Sequence, residues 1–106
     1  MRILLDQGTP APLRRAFAGH SVSTAHEEGW DTLKNGELLD AAERSFDVFV
    51  TTDQNLRYQQ NLIGRRLAIL VLPTTSWPRL QLHAAAIAAA AVALPRGELK
   101  EWSVPD

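Results

Sequence analysis

The stretch Asp47-Val48-Phe49-Val50-Thr51-Thr52-Asp53 decides the fold. Its branched and aromatic core has no polar face, so it reads as a strand covered on both sides, ended by the turn-forming pair Gln54-Asn55. The N-terminus repeats the pattern: Arg2-Ile3-Leu4-Leu5-Asp6 is a second short apolar run ending in aspartate, followed by Gln7-Gly8-Thr9-Pro10. Leu67 to Leu72 is the most hydrophobic run in the chain and reads as a central strand. In an open parallel sheet, ligands bind in the crevice outside the carboxyl ends of the strands. Asp6 and Asp53 are therefore expected to converge on one spot. Either aspartate alone would serve equally well to start a turn. The pair, in one α/β chain, points instead to a hard divalent cation such as magnesium or manganese, which prefers oxygen ligands.

The segments between these runs read as helices and one further strand. Pro10 to Ala18 forms a short helix with Leu13 and Phe17 inward and Arg14 and Arg15 outward, stopped by Gly19. His20 to Ala25 alternates polar and apolar residues, as a strand does. Asn35 reads as the N-cap of a helix from Gly36 to Ser45, with Leu38, Leu39, Ala41 and Ala42 on its inner face. Leu56 to Leu62 forms another helix, ended by Gly64. Trp77-Pro78 opens a long helix that runs to Leu94 and is stopped by Pro95. Glu98 to Val104 alternates well enough for an edge strand. Strands and helices thus alternate throughout, which defines the α/β class with a parallel sheet. The 106 residues read as one domain, without internal repeat or linker.

Composition excludes several classes. The net charge of -1 gives no global attraction to nucleic acid or membrane, so a polyanion would have to meet a local patch. All but two of the 11 basic residues are arginine, the exceptions being Lys34 and Lys100. Arginine suits bidentate phosphate contacts, although its abundance can also reflect base composition. There is no cysteine, hence no disulfide and no thiolate metal site, which accords with a cytoplasmic protein. The N-terminus lacks the pattern of a signal peptide. The longest apolar run, Ala84 to Leu94, falls short of the roughly 20 residues that span a bilayer, so no membrane association is expected.

The chemistry-bearing residues narrow further. No Gly-x-Ser-x-Gly elbow and no Gly-rich phosphate loop occurs. A phosphoacceptor receiver would need a lysine after a late strand, and none is there. His26 beside Glu27-Glu28 reads as a solvated polar loop rather than a metal site. Glu37, in the first turn of a helix, suits the helix dipole, yet it is also placed to reach across the same crevice as a third acid. Arg14, Arg57, Arg65 and Arg66 adjoin the acidic segments and are positioned to track a phosphate backbone, with Tyr58 able to stack on a base. Ala84, Ala88 and Ala91 form a small-residue stripe, with Trp77 and Trp102 beyond its ends. Left exposed, this stripe would support a homodimer or the docking of a small protein.

Leu4-Leu5-Asp6-Gln7-Gly8-Thr9-Pro10, Gly19-His20-Ser21-Val22, Asn35-Gly36-Glu37-Leu38-Leu39 and Val48 to Leu56, taken in order, resemble the compact PIN-like domains of bacteria. These are relatives of VapC-type ribonuclease toxins and of the Mut7 C-terminal nuclease domain. The resemblance covers about residues 1 to 94 and leaves 95 to 106 as a tail with edge-strand character. It implies a three-layer α/β/α fold, a magnesium or manganese site, single-stranded RNA as substrate and a small antitoxin protein as partner. By position, Asp6, Glu37 and Asp53 match the family's acids as ligands and catalytic residues, with Gln7, Asn35 and Asn55 around them. Two departures stand out. Gln7 replaces a common glutamate and Asn55 a common aspartate, so the site keeps oxygen ligands but loses negative charge. Metal affinity falls with ligand charge. A catalytically weak module that binds nucleic acid or a protein is therefore the alternative to a metal-dependent ribonuclease.

Overall fold

A computed structural model describes residues 1–59 and 62–104. Five short runs form strands: β1 (Arg2–Leu5), β2 (Ser21–Thr24), β3 (Val48–Thr51), β4 (Ala68–Val71) and β5 (Leu99–Glu101). They make one sheet in the order β2-β1-β3-β4-β5, with every pairing parallel. The helices are α1 (Asn35–Ser45), α2 (Leu56–Gln59), α3 (Trp77–Leu80) and α4 (Ala84–Ala93), with 3-10 helices at Ala11–Ala16 and Gln81–His83.

Side chains alternate across each strand and so divide the core in two. Ile3, Leu5, Val48, Val50, Ala68 and Leu70 pack on one face against Leu13, Phe17, Leu80, Ile87 and Ala91. Leu4, Phe49, Ile69 and Val71 pack on the other against Leu38, Leu39, Ala42, Phe46 and Leu56. A parallel sheet covered on both faces needs strands without a polar side, which is why the central strands β1, β3 and β4 are mostly apolar. The result is a layered α/β fold, as the alternation of elements led one to expect. The tail expected at an edge takes that place: β5 pairs with β4, and the Trp102 N–H extends the ladder to the Val71 carbonyl at 2.8 Å.

Several boundaries differ from the sequence reading. Helix α1 starts at Asn35 itself, with Lys34 in the cap position and no side-chain cap hydrogen bond. Helix α2 is described over Leu56–Gln59; Gln60 and Asn61, over which it was expected to run, lie outside the described residues, and Leu62 is not helical. The expected helix from Trp77 to Leu94 is divided at His83, whose φ of -114° and ψ of 10° leave the α region. The His83 ring there lies 5.6 Å from that of Trp102.

Most of the alanine stripe faces inward. Ala88 and Ala91 are buried with Ile87 on the molecule's own sheet, Ala84 and Trp77 pack against the same core, and Trp102 is only 7% exposed. A helix with apolar residues all round buries whichever face meets the sheet, and here the small residues let α4 come close. Among the described residues no helix is long and apolar enough to cross a membrane.

Candidate active site at the switch between β1 and β3

From β1 the chain steps outward to β2, then returns past β1 to β3 and continues to β4 and β5. The loops that follow β1 and β3 therefore diverge from neighbouring strands. In doubly wound sheets of this order, ligands sit at that point. Asp6 follows β1 and its N–H still pairs with the Val50 carbonyl at 2.9 Å. Asp53 follows β3.

One hydroxyl ties the two aspartates together. Thr51 Oγ1 donates to Asp6 Oδ2 at 2.8 Å and accepts from the Asp53 N–H at 3.1 Å. Thr51 is 1% exposed. Its stiff, branched side chain at the end of a buried strand gives that hydroxyl little freedom to move. Asp6 Oδ1 accepts from the Gln7 N–H at 2.8 Å, and Asp53 Oδ1 accepts from the Asn55 N–H at 3.0 Å, a turn that leads into α2. Thr9 closes the first loop, its N–H donating to the Asp6 carbonyl and its hydroxyl to the Val50 carbonyl. Gly8 fits that loop closely: a Cβ there would lie 2.7 Å from Thr52 Oγ1 and displace it. Gln54 donates through its amide to the carbonyls of Thr52 and Leu72, fastening the second loop to the end of β4.

On the β2 side of Asp6 a pocket of about 330 Å³ is lined by Asp6, Gln7, Thr9, Ala11, Thr24, His26 and Asp31. The Gln7 amide donates to Asp31 Oδ1 at 2.6 Å, and His26 Nδ1 lies 3.1 and 3.0 Å from the two Asp31 oxygens. Next to His26, the Glu27 carboxylate accepts from the Thr24 N–H and pairs with Arg14. These contacts, the backbone hydrogen bond first, hold its pKa below the ordinary glutamate value.

The remaining expected residues fall in separate places. Glu37 is exposed on the first turn of α1 and lines a different groove, with Leu33, Asp40, Ala41 and Arg44. Among the described residues, no three histidine or acidic side chains form a group able to hold a cation together. Arg14 and Arg57 are paired with Glu27 and Glu101, on the carboxyl side of the sheet. Tyr58, on α2, is 78% exposed. Arg65 and Arg66 precede β4 and lie at the amino edge, opposite Asp6; Arg65 pairs with Asp40 and Glu43, and the Arg66 N–H donates to Glu43. In a parallel sheet, residues just before a strand and residues just after one occupy opposite edges. Sequence reasoning missed Thr51 as the bridge and Asp31 as the partner of both Gln7 and His26. The first sits inside an apolar run that hides its role, and the second lies in an aperiodic loop.

Asp6 and Asp53 offer hard oxygen donors at adjacent strand ends. Magnesium is commonly held by one or two carboxylates, with waters and substrate phosphate filling the other positions, so this donor set fits such an ion without a third acid. The chain matches no family model, no curated protein and no solved structure.

Proposed function

We propose that this chain is a PIN-like, magnesium- or manganese-dependent endoribonuclease acting on single-stranded RNA in the cytoplasm, as the toxin of a toxin–antitoxin pair with a small inhibitory protein as partner. The observation that carries the reading is the hydrogen-bonded unit Asp6–Thr51–Asp53 at the β1/β3 switch. Asp6 and Asp53 hold the ion, and Thr51 fixes the Asp6 carboxylate and the Asp53 backbone with or without it. The bound ion supplies an activated water and offsets charge on the scissile phosphate. Arg14 and Arg57 flank the crevice for backbone contacts, and exposed Tyr58 is a surface on which a base stacks. Glu37, on its separate groove, has no part in holding the ion in this reading.

A second reading is a catalytically weak module that binds RNA or protein. It is favoured by Gln7, whose amide is engaged by Asp31 where the family commonly has a ligand-capable acid. Incubation of labelled single-stranded RNA with the purified protein in manganese or in chelator separates the two. Cleavage in manganese alone, lost in Asp53→Asn, supports the nuclease. Binding without cleavage in either buffer supports the module.

A further inference from the structure

We infer that His26, oriented by Asp31, is the general acid that protonates the leaving ribose oxygen when this site cuts a phosphodiester; the inference rests on the nuclease reading and adds a residue to it. His26 lies just beyond β2 and shares the pocket of Asp6, Thr9 and Thr24. Its Nδ1 is held at 3.1 and 3.0 Å by the two Asp31 oxygens. An ionised carboxylate only accepts hydrogen bonds, so this contact takes the Nδ1 proton and leaves Nε2 as the position for proton exchange. The imidazole is 81% exposed, open to a strand of RNA lying along the carboxyl edge.

A histidine on a polar loop is common and usually idle. Here Asp31 is not a chance neighbour. It also accepts from the Gln7 amide at 2.6 Å, and Gln7 adjoins Asp6. The imidazole is thus tied through two hydrogen-bonded residues to the loop that carries the proposed metal ligand. Two acids line the pocket with it: Asp31 orients the ring and Asp6 lies across from it, while the neighbouring Glu27 carboxylate is taken by Arg14 and Thr24. Asp31 acts as a positioning residue and His26 as the catalytic one.

The step balances. The oxygen of water bonds to phosphorus, the bond from phosphorus to the ribose oxygen breaks, and its electron pair leaves on that oxygen. Nε2 of protonated His26 supplies the proton that makes it a hydroxyl. The proton lost by the attacking water passes to solvent, from which His26 is reprotonated. A well-placed acid of this kind contributes about 10²–10⁴-fold.

The test compares His26→Gln with wild type, as full chains in manganese, on two substrates. Single-stranded RNA leaves as a ribose hydroxyl and needs the proton; the p-nitrophenyl phosphate ester of thymidine leaves as a stable phenolate and does not. The expected result is a loss of about a hundredfold or more on RNA with the nitrophenyl ester cleaved at the wild-type rate. Equal losses on both substrates, or none on either, overturn the assignment while leaving the nuclease reading intact. A wild type that cleaves neither substrate defeats both. A metal-free readout stands beside these rates: nitrogen-15 NMR of the imidazole in chelator. Neutral His26 carries its proton on Nδ1 in wild type and on Nε2 in Asp31→Ala. An Nε2 proton in wild type overturns the orientation on which the inference depends.

Discussion

Replacing Thr51 with valine removes one oxygen and leaves the volume nearly unchanged, so it isolates the hydroxyl that joins the two aspartates. The variant loses the 2.8 Å bond to Asp6 and the 3.1 Å bond from the Asp53 N–H. A hydrogen bond to a charged group contributes about 1.5–3 kcal/mol and one between neutral groups about 0.5–1.5 kcal/mol. Asp6 is partly exposed and water replaces some of what it loses, so the lower ends apply, giving a net loss of about 2 kcal/mol. For a domain of this size that corresponds to a fall in Tm of roughly 10 °C. Thermal unfolding in chelator, followed by circular dichroism, measures it without contribution from any metal. Thr51→Ser, which keeps the hydroxyl, should recover most of the difference. A valine variant melting within about 2 °C of wild type, well below the loss worked out above, refutes the claim that Thr51 holds the site together.

Other predictions follow from single contacts. Gly97→Ala should cost about 1–3 kcal/mol in urea unfolding, because Gly97 has a φ of 85° and a Cβ would lie 2.8 Å from the Arg65 carbonyl oxygen. The lowered pKa of Glu27 gives stability that is present above the ordinary glutamate value of 4.5 and lost as pH falls through the lower folded-state value. Melting curves across that acid window should therefore show a shallower acid loss for Glu27→Gln than for wild type. Asp53→Asn keeps the oxygen that accepts from Asn55 and removes charge beside Asp6, so it should fold within about 1 kcal/mol of wild type in chelator, or above it, while losing manganese-dependent RNA cleavage. A large destabilisation would mark Asp53 as a structural turn residue instead.

The centre of the sheet was legible because β1, β3 and β4 are buried on both faces and carry no polar alternation, whereas the edge strands β2 and β5 do alternate. Ile3 to Leu5, Val48 to Thr51 and Ala68 to Val71 all appear where their apolar runs stand. The candidate site was legible only where it follows from those strands: placing Asp6 and Asp53 at neighbouring strand ends needed nothing beyond strand direction. Glu37 required knowing how α1 packs over the sheet, and a helical pattern fixes a face but not the distance across a crevice. Arg65 and Arg66 were assigned by closeness in sequence to Asp53, yet strand β4 runs between the two edges, so neighbours in the chain lie at opposite ends. The break at His83 had no signal in the apolar pattern of Trp77 to Leu94, since Leu80, Ile87 and Ala91 stay on the core through it. Asp31 and His26 are brought together by a loop without periodicity.

The central claim is that Asp6 and Asp53 share one cation, and manganese binding tests it most directly. Paramagnetic resonance of free manganese, titrated against the protein, should show one site per chain. Either Asp6→Asn or Asp53→Asn should weaken it by about tenfold or more, as expected when a site of few charged ligands loses one of them. A site unchanged in both variants, or no binding by wild type, would contradict the account.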